Sequence, residues 1–178
     1  MWNFFKKKKK DEFDPLKDAI IKNLKVGWVV DFDMKTWQVA AHHKYDWGGG
    51  SITDEWELQS GTEMIFLQYE PEDGGSFSIS KRIPIGKIEG DIKAYLKEHD
   101  DGPSQIKYEG TPYYLDEDGG ALFLENGDGP EQEFIFWEYI DDSEDKFISI
   151  EQWGDNEYEA HEGKVVQEYH FENILPVS

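Results

Sequence analysis

Two short constellations set carboxylates beside indole rings: Asp54, Glu55 and Glu57 flank Trp56, and Glu138 follows Trp137. Carboxylates supply charge and aromatic faces supply cation–π attraction. This composition therefore suits a polyamine, a divalent metal or the basic face of a protein partner. Strand alternation works against it, because neighbouring side chains on a strand point to opposite faces. Trp28 and Trp47 stand beside glycines and are expected at the surface, where a partner or peptide would dock. Acids are also numerous enough to form close pairs, and two carboxyls about 5–9 Å apart across a cleft are the apparatus of a glycoside hydrolase.

Other chemistries find less support. His42 and His43 are adjacent, so on a strand they cannot grip one metal from a single side. His99 ends a helix-like stretch, where a C-terminal charge is its natural role. His161 and His170 lie near Glu162 and Glu172, and either pair would bind zinc only if folding brought further ligands. Asp116-Glu117-Asp118-Gly119 and Glu125-Asn126-Gly127-Asp128-Gly129 look like calcium loops but lack the alternating ligand series and the distal Glu. Asp and Gly fill hairpin turns for backbone reasons of their own. No serine nucleophile elbow, His-x-x-x-His or phosphate-binding glycine loop occurs. The sequence thus predicts no catalytic residue, no metal site and no cofactor. A non-enzymatic interaction role ranks first, small-cation binding or sensing second, and a paired-carboxylate hydrolase third.

Charge narrows the partners. The chain has 178 residues, room for one domain or two small lobes sharing a core, with 39 Asp and Glu against 18 Lys and Arg, a formal net of -21. Such a body does not grip nucleic acid, since phosphate binding needs a cationic surface. Seven Trp, 11 Phe and 9 Tyr speak against disorder over most of the chain. The absence of Cys excludes disulfides and thiolate sites and suits a cytoplasmic protein. No apolar run approaches the roughly 18 residues of a membrane helix.

The charge is divided unevenly. Residues 1–28 hold eight lysines against four acids, for +4, which leaves ten bases and 35 acids, or -25, on the remainder. The head reads Trp2, Phe4, Phe5 and then Lys6, Lys7, Lys8, Lys9 and Lys10. Interfacial aromatics beside lysines are expected to contact an anionic leaflet, with five lysines contributing up to ~5 kcal/mol. That contact would make the protein peripheral on the inner face of the membrane.

The elements that must carry these residues are mostly strands. Asp14-Pro15 is a helix start, and Leu16, Ile20 and Leu24 recur every four residues, predicting a short helix over 15–25 that ends before Gly27. From Val30 the period becomes two. Alternating stretches follow at Trp37–Ala41, Ile52–Leu58, Met64–Tyr69, Phe77–Ile83, Tyr113–Leu115, Ala121–Leu124, Phe134–Ile140, Phe147–Gln152 and Gln167–Phe171. Turns are expected at Lys35-Thr36 and at clusters such as Gly48-Gly49-Gly50 and Asp118-Gly119-Gly120. The pattern predicts a mainly β protein, an antiparallel barrel or sandwich with its large aromatics turned inward. Asp91 to His99 reads as a connector helix with Ile92, Tyr95 and Leu96 on one face. The layout is a basic head over 1–13, a helical segment over 14–27, a β lobe over 28–83, a connector over 84–105 and a second β lobe over 106–178. Trp56-Glu57 and Trp137-Glu138 hold corresponding places in the two lobes, which suggests a repeat of about 80 residues; one larger sandwich is the other arrangement.

Val26-Gly27-Trp28-Val29-Val30-Asp31-Phe32, Trp37-Gln38-Val39 and Asp54-Glu55-Trp56-Glu57-Leu58 resemble the bacterial Domain of Unknown Function 4178 family. So do Phe136-Trp137-Glu138-Tyr139, Ile148-Ser149-Ile150-Glu151-Gln152-Trp153-Gly154 and Tyr169-His170-Phe171-Glu172-Asn173-Ile174. The resemblance covers about residues 26–175 and leaves out the basic head. It implies no activity; it does imply an association with membrane-stress and polyamine-related bacterial proteins, and hence an accessory role in an envelope assembly. Its protein partner is not identified by any residue of the sequence.

Overall fold

The computed structural model describes residues 14, 17 and 20–177. They form a mainly antiparallel β structure whose single sheet has 11 strands. In chain order these are β1 (Val29–Phe32), β2 (Lys35–Gly48), β3 (Ser51–Ser60), β4 (Glu63–Glu70) and β5 (Ser76–Ile83), then β6 (Gln105–Tyr108), β7 (Thr111–Leu124), β8 (Glu131–Ile140), β9 (Lys146–Gly154), β10 (Glu157–Val166) and β11 (Phe171–Leu175). The α-helix α1 (Ile92–His99) lies between β5 and β6.

β1 to β5 make one meander and β6 to β10 a second. Two seams join them. β5 pairs with β10 from Ile83↔Ala160 to Phe77↔Val166, and β2 pairs with β7 through Lys44↔Leu124, Tyr45↔Phe123 and Asp46↔Leu122. Together the seams close β2-β3-β4-β5-β10-β9-β8-β7 into a ring, which removes the sheet edges that eight open strands would expose. β1 and β11 extend the sheet beside β2, and β6 extends it beside β7. The two meanders repeat in detail: Thr53, Glu55, Trp56 and Leu58 are the buried residues of β3, and Phe134, Phe136, Trp137 and Tyr139 take the same places in β8.

The apolar side of the alternation faces outward from this ring, where separate covers bury it. Trp56, Leu58 and Leu67 form one core with Ile21, Leu24, Val30, Phe171 and Ile174. Trp137, Tyr139, Ile148 and Ile150 form another beneath Ile88, Ile92, Leu96, Ile106 and Tyr108. Each buried aliphatic or aromatic side chain contributes about 1.5–3 kcal/mol, so the covers are what hold the ring's outer face dry. The large aromatics are thus divided: Trp37, Trp56 and Trp137 lie in the outer cores, while Tyr45, Trp47, Phe134, Phe136 and Trp153 cluster on the inner face.

Local expectations are corrected in four places. The helix predicted over 15–25 stops short: Lys17 is helical, but Ile20 is extended and a 3-10 turn over Ile21–Asn23 follows it. The Leu24 carbonyl accepts the Trp56 indole N–H at 3.1 Å, a tertiary bond that competes with further helical pairing. The first hairpin turns at Asp33-Met34, both with positive φ, and not at Lys35-Thr36. Asp118-Gly119-Gly120 is no turn; β7 runs through it, paired with Trp137, Phe136 and Ile135 of β8. A bulge between Leu115 and Glu117 bends the strand. Gln167–Phe171 is not a strand: a 3-10 turn over Glu168–His170 precedes β11. The connector helix is present, capped by the Asp91 carboxylate accepting the Ala94 N–H at 3.1 Å, with Ile92 and Leu96 buried and Tyr95 exposed.

Candidate functional site

The inner face of the ring carries the opposite half of each alternation, and it is acidic and aromatic. A cavity of about 240 Å³ is lined from all eight ring strands. At ~30 Å³ per water it has room for about eight water molecules or one small ligand. Its carboxylates are Glu55 and Glu57 (β3), Glu70 (β4), Glu138 (β8), Glu151 (β9) and Glu159 (β10). Arg82 on β5 and His161 on β10 are its basic side chains, and Tyr45, Trp47, Phe66, Phe123, Phe147 and Trp153 its aromatic walls.

Most of the acids are held in place. Glu55 accepts from the Gln68 amide at 2.7 Å and from the Tyr45 hydroxyl at 3.3 Å. Glu151 accepts the Trp153 indole N–H at 3.1 Å, and Glu159 pairs with Arg82 at 2.9 Å. His43 accepts the Asn126 backbone N–H on Nδ1 at 3.0 Å. Its proton therefore sits on Nε2, which donates to Glu57 Oε1 at 3.1 Å. This chain of bonds ties the β7–β8 loop to β2 and β3 beside the closing seam.

Arg82 alone does not neutralise such a lumen, and burial settles the balance by protonation. Burial pushes the Glu55 carboxyl up to about 7, with Glu57 adding to it. Glu151 rises to about 8, from burial first and then from Glu55 and Glu159. Glu138 rises to about 7, again by burial and then by Glu70, Glu117 and Asp116. His161 moves the other way, down to about 4, because burial and the Arg82 charge disfavour its imidazolium. At neutral pH the lumen thus holds carboxyls close to their titration points.

The sequence-predicted residues are redistributed. Glu55, Glu57, Glu138 and Trp47 all line the lumen. Trp56 and Trp137, at 1% and 3% exposure, are outer-core residues with no face for a ligand. Asp54 is on their side of the sheet, its carboxylate accepting from His42 Nε2 at 2.8 Å while His42 stacks on Trp56 at 4.8 Å. Trp47 is not a surface aromatic: its indole donates to Thr53 and its ring meets Phe136 edge-on at 4.8 Å. Trp28 is half-buried against the first core with the Lys25 ammonium 5.6 Å from its ring. Trp2, Phe4, Phe5 and Lys6 to Lys10 lie outside the described residues. Sequence reasoning missed Glu70, Arg82, Glu151, Glu159 and Tyr45; it weighed His161 only as a zinc ligand and took Trp153 for a core aromatic. Their one signal is that Glu151 and Ser149 interrupt the apolar Ile148 and Ile150, marking a polar inner face.

Among the described residues, no group of three or more His, Asp or Glu side chains is arranged to hold a metal ion. No helix among them is long and apolar enough to cross a membrane. The cavity's donor set suits an organic cation, which carboxylates attract and aromatic faces accommodate.

An uncharacterized protein of Aquifex aeolicus (strain VF5) is 30% identical over 174 residues, covering 97% of this chain and 94% of the relative. No solved structure matches. A family model described as Domain of unknown function (DUF4178) matches residues 25–168, most of the two meanders, and the chain belongs to that family.

Proposed function

We propose that this protein is a non-enzymatic binding module that holds a small organic cation, an organic ammonium ion, inside the ring. The observation that carries the reading is the convergence of six glutamates and six aromatic rings on one cavity. Ionised glutamates and ring faces both favour positive charge there, and polyamines belong to the class that satisfies them. A divalent metal is the weaker candidate because the acids do not gather into a ligand group. Calorimetry at moderate salt with spermidine, tetramethylammonium and Ca²⁺ tests this. Saturable binding of an organic cation, lost when Glu55 and Glu151 are both changed to Gln, is the expected result. No saturable heat from any organic cation overturns it.

A second reading concerns location. The +4 charge of residues 1–28 against the -25 of the remainder favours a peripheral contact of Trp2, Phe4, Phe5 and Lys6 to Lys10 with an anionic cytoplasmic leaflet, where the module would serve an envelope assembly through a protein partner. Sedimentation with anionic vesicles is expected to fall when Lys6 to Lys10 are replaced by Gln; unchanged sedimentation refutes the attachment.

A further inference from the structure

The acids of the lumen fall into two tiers, and the strand registers set the spacing between them. Glu55 on β3 stands opposite Gln68 of β4, and Glu151 on β9 stands opposite Phe136 of β8. Glu70 and Glu138 each lie two residues further along those partner strands, again on the inner face. The registers carry both toward the same end of the ring, the one that holds the β4–β5 loop. A strand rises about 3.4 Å per residue, so the second tier lies about 7 Å from the first.

The tiers are furnished differently. The first has donors of its own: Gln68 and Tyr45 on Glu55, Trp153 on Glu151 and Arg82 on Glu159. In the second, no hydrogen bond or ion pair from a described residue reaches the carboxyl of Glu70 or Glu138. The Glu138 carboxyl is nevertheless buried in the cavity wall. Glu117 stands directly opposite it on β7, a like-charge pair that costs stability. Glu70 ends β4 and is exposed, which makes this tier the mouth of the lumen. What the mouth lacks is positive charge together with N–H donors, and a primary ammonium supplies the charge and three donors at once. At the first tier one oxygen of Glu151 still accepts nothing from a described residue, which leaves an acceptor for a second ammonium.

We infer that the lumen takes a short linear diamine end-on, with one primary ammonium at Glu70 and Glu138 in the mouth and the other about 7 Å deeper, where Glu55 and Glu151 are its counter-charges. This rests on the organic-cation reading of the lumen and narrows it to one ligand class, fixed by charge count and length. The cavity of about 240 Å³ has room for one such molecule.

The test is calorimetry of the full chain at neutral pH and moderate salt with two pairs of amines: putrescine against butylamine, and octamethylenediamine against octylamine. Putrescine is expected to bind at least about tenfold tighter than butylamine, because its second ammonium gains charge-assisted hydrogen bonds. The eight-carbon pair, whose diamine outreaches the two tiers, is expected to differ by less than about threefold. Equal binding of putrescine and butylamine overturns the two-tier site while leaving the cation site standing. An equally large advantage in the eight-carbon pair overturns the spacing on which the proposal depends. No saturable binding by any of the four, or by spermidine, overturns the cation reading itself. Glu138→Gln is expected to weaken putrescine about tenfold or more and butylamine less than about threefold, since butylamine keeps the first tier. Glu70→Gln, at an exposed position and hence safe for folding, is expected to fall between; an unchanged putrescine affinity in both variants defeats the assignment.

Discussion

Glu151→Gln should stabilise the ligand-free protein, by an amount that grows with pH. In the folded chain burial raises Glu151 from 4.5 to about 8. Between those values the folded state keeps a proton that the unfolded state has released, so stability falls as pH rises, and the loss is complete only above about 8. With 1.36 kcal/mol per pH unit, the cost of this carboxyl is about 1 kcal/mol at pH 5 and about 3 kcal/mol at pH 7. A glutamine avoids it, and its amide oxygen can still accept the Trp153 indole N–H that Glu151 accepts now. Urea unfolding followed by tryptophan fluorescence at pH 5, 6 and 7 measures the difference. The variant should gain little at pH 5 and about 2–3 kcal/mol at pH 7. Destabilisation at pH 7, or a gain that does not change with pH, would refute the argument that this acid is buried in an unfavourable ionised environment. His161 supplies the opposing slope: held down to about 4, it gives the folded chain stability that appears as pH rises from about 4 to 6.5. Glu55 and Glu138, both near 7, outweigh it in the upper part of that window.

The same titrations predict that cation affinity rises from pH 6 to pH 8 and that binding at pH 7 releases protons, read as a buffer-dependent heat in calorimetry; affinity independent of pH would contradict the role of Glu55 and Glu151 as counter-charges. Gly163 lies opposite Phe147, whose ring occupies the space a Cβ would need, so Gly163→Ala is expected to cost about 1–3 kcal/mol in thermal or urea unfolding. His43→Ala removes both the acceptor of the Asn126 N–H and the donor to Glu57, and should cost about 1–3 kcal/mol while loosening hydrogen-exchange protection at the β2–β7 seam.

Much of the fold is legible in the residues because it follows from local rules. The period of two around Trp56 and Trp137 gives the strands, Asp91 gives the start of the connector helix, and the spacing of the two Trp-Glu pairs matches two meanders of like order. Where a local signal failed, a distant partner prevailed. Leu24 gives its carbonyl to Trp56, and Gly119 and Gly120 are drawn into pairing with β8 in place of a turn.

Composition alone determined that the chain is strongly acidic and rich enough in aromatics to fold. Alternation alone determined that each strand has a polar and an apolar side. Only the tertiary structure decided which side became the inside. A strand's period of two is the same whether its polar face meets solvent or a lumen, and the choice belongs to the seams. Pairing Tyr45 with Phe123 and Arg82 with His161 closes the ring around Glu55 and Glu151, while the segments at Ile21, Leu24, Ile92 and Leu96 bury the other side. Those contacts join residues far apart in the chain, so no local pattern encodes them, and they gather a scattered excess of acid around one cavity.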